Sequence, residues 1–126
     1  NPDRLERTMK MKLTWVTRQD GGWPRLHLVN LTDVRTVGVY VIWHGGSPPN
    51  VVRVGQGAIC DRVGCHKTDD KILAYAGLGT LYVTWAAVPA AQLDGVERFL
   101  ADRLSPRVGD RFPQVPAIPV NLPGAA

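Results

Sequence analysis

Cysteine is scarce in this sequence, and no apolar segment is long. Only two of the 126 residues are cysteine, Cys60 and Cys65, which argues against a disulfide framework. No second ligand pair accompanies them, so we expect two thiols without zinc. The longest apolar run, Val37 to Trp43, is too short to span a bilayer, and no basic-then-apolar leader is visible. We therefore expect a cytoplasmic protein with no membrane partner.

Acidic residues are outnumbered by basic ones. The 15 Lys and Arg residues against 11 Asp and Glu give a formal net charge of +4. This surplus mildly favours a polyanionic partner such as nucleic acid. The length is typical of one domain, which we expect to span residues 1–126. Because the first residue is Asn1 and not Met, excision from a longer protein is a further expectation.

Segments rich in β-branched and aromatic residues predict a small antiparallel sheet. The clear strands are expected at Val37 to Trp43, Val51 to Val54 and Thr80 to Val88. The first two form a hairpin around a loop that begins with His44, which is expected to be exposed. Residues 11–17 predict another strand and residues 26–30 an edge segment. We expect an α+β fold with about three central strands flanked by helices.

Three helices are predicted from spacing and capping residues. The first carries Ile59, Arg62, Val63 and His66 on one face. A short helix follows the capping pair Asp69-Asp70 and runs to Tyr75. The last is expected from Pro89 to about Leu104, with an apolar stripe along one side. A proline-rich tail without periodicity comes after it.

Two charged side chains lie on or beside the apolar faces of these helices. Arg62 shares its face with Ile59 and Val63, and Glu97 borders the apolar stripe of the last helix. An unpaired charge is costly to bury. One interpretation is a structural ion pair between Arg62 and Glu97. The other is a phosphodiester site, in which Glu97 holds a divalent cation and Arg62 stabilises phosphate charge.

The order of these motifs resembles that of the GIY-YIG nuclease family. Gly38-Val39-Tyr40 corresponds to the family's Gly-Ile-Tyr strand, and Arg53-Val54-Gly55, twelve residues later, to its Tyr-Ile-Gly strand. Arg62 and His66 reproduce an Arg-x3-His spacing on the next helix. Glu97 corresponds to the glutamate of a later helix. The Gly-Gln-Gly run resembles that of a bacterial-type subfamily.

The resemblance implies a metal-dependent endonuclease and assigns roles to its residues. Glu97 would bind one Mg²⁺ or Mn²⁺, and Arg62 would offset charge on the phosphate. Tyr40 would orient or deprotonate the attacking water, or else serve only as a packed aromatic. His66 would carry a proton or contact phosphate, or else only pack its helix. The implied partner is nucleic acid, with DNA favoured over RNA, and an attached or partner targeting domain is expected.

The resemblance also implies how the chain is divided. At some positions, however, the sequence differs from the motifs of the family. Residues 1–36 would be an N-terminal extension with an edge strand, 37–113 the nuclease core, and 114–126 the tail. Arg53 replaces the motif tyrosine, which leaves the general base open. Gly109 stands where the family often has asparagine, and Asn121 is expected to fold back in its place.

Four more residues are candidate substrate contacts. Gly55 and Gly57 are expected to shape a turn that lets a nucleic-acid backbone approach. Arg53 and Lys67 are expected either to contact phosphate or to lie solvated at the surface. Two other functions stay open. One is a catalytically degenerate nucleic-acid-binding or protein-interaction module, and the other is an RNA-cleaving toxin domain.

Overall fold

The strand β1, Val37–His44, lies at the centre of the sheet. In a computed structural model that describes residues 11–109 and 112–124, the sheet order is β2-β1-β3 and both pairings are antiparallel. The outer strands are β2 (Asn50–Ala58) and β3 (Leu81–Ala87). The α-helices are α1 (Ile59–His66), α2 (Asp70–Leu73) and α3 (Leu93–Leu104), with short 3₁₀ helices at Ala74–Gly77 and Ala90–Gln92. The predicted α+β class is confirmed.

Alternate side chains of β1 enter two different cores. Tyr40 and Ile42 pack with Ile59 and Val63 of α1 on one face. The neighbouring residues of β1, Val39 and Val41, pack with Val96 and Leu100 of α3 on the other face. This follows from the period of two along a strand. The sheet is therefore covered on one face by α1 and on the other by α3.

The second strand is longer than predicted. It continues through Gly55, Gln56 and Gly57, which pair with Tyr40, Val39 and Gly38 of β1. The predicted Gly-Gln-Gly turn is therefore wrong, because the β1 ladder satisfies the backbone of these residues. Helix α1 begins directly after the strand, where the Ile59 N–H donates to the Thr36 carbonyl at 3.0 Å.

The predicted strand at residues 11–17 is also wrong. Met11 forms an isolated parallel bridge with Val120, and residues 12–17 belong to no strand. The backbone of Leu13 is bonded by the side chain of Asn121, and Val16 N–H donates to the Trp85 carbonyl at 3.0 Å. With its groups satisfied by separate partners, the segment forms no ladder.

No strand forms at residues 26–30, the predicted edge segment. The residue before it, Arg25, forms an isolated antiparallel bridge with Tyr82. A turn follows because the Arg25 carbonyl accepts from the N–H groups of Leu28 and Val29. His44 also differs from expectation. It ends β1, is 3% exposed, and accepts a hydrogen bond from Gly46 N–H on Nδ1 at 3.1 Å.

The helices follow the predictions more closely. Asp69 caps α2, its Oδ1 accepting from Lys71 N–H at 3.0 Å, although the α-helix ends at Leu73 and a 3₁₀ turn continues. Pro89 precedes a 3₁₀ turn, and α3 starts only at Leu93. No described helix is long and apolar enough to cross a membrane. Residues 1–10 of the predicted extension and 125–126 of the predicted tail lie outside the described residues.

Asn121 joins the C-terminal tail to the segment at residues 11–17, and removal of its side chain is expected to destabilise the protein. Its Oδ1 accepts from Leu13 N–H at 2.6 Å and its Nδ2 donates to the Leu13 carbonyl at 2.9 Å. We predict that Asn121→Ala lowers the free energy of unfolding by about 1–3 kcal/mol, because it leaves both backbone groups without partners. Urea denaturation measures this change. Asn30→Ala, which removes an exposed bond to Thr32 N–H, is the control and should cost less. Equal effects would contradict the attachment.

Candidate active site

Tyr40 lies at the centre of the candidate site because its strand partner is a glycine. Gly55 pairs with Tyr40, and a Cβ atom at Gly55 would overlap the phenol oxygen and ring. The missing side chain lets the ring cross β2 towards α1. Tyr40 is only 2% exposed, so its hydroxyl group requires a partner.

That partner is His66, at the end of α1. The Tyr40 hydroxyl and His66 Nε2 are 2.6 Å apart. His66 Nδ1 is buried and forms no hydrogen bond with a described residue, although Asp69 Oδ2 lies 3.9 Å away. Burial lowers the pKa of His66, and the charge of Arg53 lowers it further, while Asp69 acts in the opposite direction. The neutral imidazole is therefore favoured, and its Nε2 can accept the phenol proton.

Arg53 lies on the same face of the sheet as Tyr40. It pairs with Ile42, and its Nε is buried without a hydrogen-bond partner among the described residues. A Cβ atom at Gly109 would overlap Nη1 of Arg53, and Gly109 has φ +94. Because Gly109 has no side chain, it makes room for the arginine. Burial raises the pKa of Tyr40, and the positive charge of Arg53 is the largest opposing influence.

Arg62 shares a helical face with the buried residues Ile59 and Val63 in the sequence pattern, but its side chain is exposed. It lies across Gly57, where a Cβ atom would approach Arg62 Nε to 3.0 Å. The described salt bridges join Arg18 to Asp20, His66 to Asp69, and Arg98 to Asp102. The structural ion pair between Arg62 and Glu97 is therefore not formed. Neither Arg53 nor Arg62 has a described carboxylate within salt-bridge distance.

Glu97 is held by a residue that the sequence analysis did not select. Gln56 Nε2 donates to Glu97 Oε1 at 2.9 Å and to Asp94 Oδ1 at 2.6 Å. Glu97 is 8% exposed, and burial raises its pKa, while the hydrogen bond from Gln56 and the charge of Arg53 act in the opposite direction. The i, i+3 spacing of Asp94 and Glu97 predicts that the two carboxylates are neighbours on the helix, and this was the sequence signal for the pair. Nothing in the sequence pattern marked Gln56.

A divalent cation fits these donors only as a largely hydrated ion. The described residues contain no group of three or more His, Cys, Asp and Glu side chains that could enclose a metal. Glu97 accepts its one described side-chain hydrogen bond on Oε1, which leaves Oε2 for a ligand. Mg²⁺ keeps several waters and needs few carboxylates. Glu97 thus fits the role of sole or principal protein ligand.

Two predicted substrate contacts, Lys67 and Asn121, already use their side chains in hydrogen bonds to the backbone. Lys67 Nζ donates to the Val29 carbonyl at 2.8 Å, which joins the C-terminal end of α1 to the loop before β1. Asn121 uses both its amide oxygen and its amide nitrogen in hydrogen bonds with the backbone of Leu13. The two cysteines are free, as expected. Of the predicted site residues, Tyr40 contacts Gly55 and His66, and Arg62 lies across Gly57. The charges of Arg53 and Arg62 act on the pKa of both Tyr40 and Glu97.

The close approach of Tyr40 to Gly55 generates a prediction. Gly55→Ala is expected to displace the phenol, break its bond to His66 and lower the free energy of unfolding by about 1–3 kcal/mol. Imidazole NMR and denaturation would record both effects. Gly64→Ala is the matched control, because a Cβ at Gly64 in α1 meets nothing within 4 Å. An unchanged His66 resonance in Gly55→Ala would contradict the packing.

The buried carboxylate of Glu97 generates a prediction about pH. The pKa of Glu97 is raised above its ordinary value of 4.5, so the folded protein binds this proton more tightly than the unfolded chain. Stability is therefore lost as the pH rises through the folded pKa. We expect Glu97→Gln to be more stable than wild type at neutral pH, with the difference vanishing below about pH 4.5. Denaturation at several pH values measures this. The exposed Asp102→Asn is the control, and a difference that grows on acidification would contradict the prediction.

Comparison of this chain with models of protein families, with curated proteins and with solved structures found no match. The resemblance to GIY-YIG nucleases is therefore one of sequence motifs alone, Gly38-Val39-Tyr40 and Arg53-Val54-Gly55 and their order along the chain. The geometry around Tyr40 and Glu97 supplies the remaining support for a function.

Proposed function

We propose that the protein is a divalent-metal-dependent endonuclease that hydrolyses phosphodiester bonds in nucleic acid, with DNA as the favoured substrate. The observation that carries the proposal is the 2.6 Å hydrogen bond between the Tyr40 hydroxyl and His66 Nε2. The charges of Arg53, Arg62 and the buried Glu97 all act on the pKa of Tyr40. Neither arginine has a described carboxylate partner. Such a set of titratable groups with shifted pKa values is typical of active sites.

Arg53 and Arg62 would bind the scissile phosphate. A guanidinium offers several N–H donors in a planar fork that matches phosphate oxygens. The orphaned Nε of Arg53 favours a ligand anion at this point, because a buried charged donor without a partner is costly. Arg62 lies exposed above Gly57, from where it can reach a bound backbone. Together they would offset the charge that develops on the phosphate.

Tyr40 and His66 would move the proton of the attacking water. Because burial raises the pKa of Tyr40, the resting hydroxyl is protonated and is a poor base by itself. The neutral His66 beside it can take the phenol proton on Nε2 as the phenol oxygen takes a proton from water. The proton thus ends on His66. The hydroxide oxygen forms a bond to phosphorus as the bond from phosphorus to the leaving oxygen breaks, and the leaving oxygen takes a proton from a solvent water.

Glu97 would hold the cation. When bound, Mg²⁺ or Mn²⁺ supplies Lewis-acid stabilisation of phosphate charge. The contribution of this chain is a carboxylate whose Oε1 is fixed by Gln56 and whose Oε2 accepts no hydrogen bond from a described residue. Opposing charges from Arg53 and Arg62 help to keep it ionised despite burial.

One observation favours a second candidate, a nucleic-acid-binding module without catalysis. Arg53 occupies the position of the motif tyrosine, and a guanidinium binds phosphate without acting as a base. Such a module would keep Arg53 and Arg62 but would not need the bond between Tyr40 and His66. Binding of an oligonucleotide that is unaffected by EDTA, without any cleavage, would support this candidate.

Cleavage assays test the proposal. Supercoiled plasmid, single-stranded DNA and structured RNA are incubated with Mg²⁺, Mn²⁺ or EDTA. We expect metal-dependent cutting that Glu97→Gln and Arg62→Ala each lower by about 10²–10³-fold, because both remove charge stabilisation in the transition state. Arg98→Ala is the control, since Arg98 lies on the same helix as Glu97 but pairs with Asp102 at 3.2 Å.

The outcome that would overturn the proposal is equally clear. Wild type that cuts none of the three substrates, or a folded Glu97→Gln protein that cuts as fast as wild type, would exclude this active site. Preferential cutting of RNA would instead support the toxin-domain alternative. Tyr40→Phe, which removes only the hydroxyl, would then show whether the same proton path is used.

A further inference from the structure

Gln56 lies in β2 between the two glycines of the site, and its side chain is directed towards α3. It pairs with Val39, which packs in the core beneath α3. Its amide nitrogen donates to Asp94 Oδ1 at 2.6 Å and to Glu97 Oε1 at 2.9 Å. One NH₂ group therefore uses both of its hydrogens on two carboxylates. Only the nitrogen end of the amide can do this, because the oxygen is an acceptor.

The arrangement brings together two groups that repel each other. Asp94 and Glu97 are three residues apart on α3, where side chains are neighbours, and Asp94 raises the pKa of Glu97. An amide between them fixes one oxygen of each carboxylate and adds no charge. Among the described residues, no hydrogen bond is made to the second oxygen of either carboxylate, so each can act as an acceptor. A structural contact between strand and helix would not need two carboxylates on one nitrogen.

We propose that Gln56 is a positioning residue that fixes the carboxylates of Glu97 and Asp94 for a hydrated divalent cation. This inference rests on the proposed function, in which Glu97 is the metal ligand. Glu97 would contact the ion through Oε2. Asp94 would accept hydrogen bonds from waters of its shell. Groups that orient a metal ligand in this way commonly change metal affinity about 10–100-fold when removed.

Metal binding measured without nucleic acid tests the inference. Gln56→Met keeps the length of the side chain but removes both donors. We expect the Kd for Mn²⁺, from calorimetry or electron paramagnetic resonance, to weaken about 10–100-fold. In cleavage, the Mn²⁺ concentration at half-maximal rate should rise while the rate at saturating Mn²⁺ stays close to wild type. A merely structural role for Gln56 would not produce this split.

Two controls accompany this variant. Gln19→Met alters an exposed glutamine and should leave Mn²⁺ affinity unchanged. Asp94→Asn keeps an oxygen for Gln56 but removes the charge, and should weaken Mn²⁺ less than Gln56→Met. If Gln56→Met does not fold, Gln56→Asn retains the amide on a side chain too short for both carboxylates and is expected to weaken Mn²⁺ in the same way.

The outcomes separate this inference from the proposed function. If wild type binds Mn²⁺, Glu97→Gln abolishes binding and Gln56→Met leaves Kd unchanged, the positioning role is excluded while the metal site stands. If wild type neither binds Mn²⁺ nor cuts nucleic acid, the proposed function fails and the inference fails with it. A weaker Kd in Gln56→Met without any cleavage by wild type would support the positioning role and exclude the nuclease.

Discussion

The hydrogen bond between Tyr40 and His66 depends on three separate features of the fold. The β1–β2 register places Gly55 beneath the phenol ring, so the ring can cross the neighbouring strand. Helix α1 begins directly at the end of β2, and His66 at the end of this helix lies within hydrogen-bond distance of the Tyr40 hydroxyl. Burial on the α1 face then disfavours charge on both partners. A shift in any of these would leave a buried hydroxyl without an acceptor.

The charges of the site are distributed over both faces of the sheet. Tyr40, Arg53 and His66 belong to the face covered by α1, whereas Gln56 and Glu97 belong to the face covered by α3. The charge of Arg53 nevertheless acts on the pKa of Tyr40, His66 and Glu97 alike. The two glycines of β2 make room for other members of the site, Gly55 for the Tyr40 ring and Gly57 for Arg62.

The sequence predicted the parts of the fold that depend on local pattern. The central strand, the helix that carries Arg62 and the cap at Asp69 follow from β-branched runs, helical spacing and a carboxylate before a helix. The strand predicted at residues 11–17 is wrong. The backbone of this segment is bonded by the side chain of Asn121 and by single backbone groups, not by a neighbouring strand. Gly-Gln-Gly was assigned to a turn because glycine favours turns locally, yet pairing with β1 outweighs this preference. Gln56 was missed because a single polar residue carries no periodic signal.

Arg53 determines which function the rest of the site can support. A tyrosine at this position would share the approach to water with Tyr40, whereas an arginine cannot act as a base near neutral pH. Under the proposed function, the proton path would therefore use Tyr40 and His66. The charge of Arg53 also lowers the pKa of the Tyr40 phenol, although burial has the larger effect and raises this pKa overall. An arginine at this position is thus physically consistent with the proposed catalysis, in which the Tyr40 hydroxyl would be the group on which proton transfer depends.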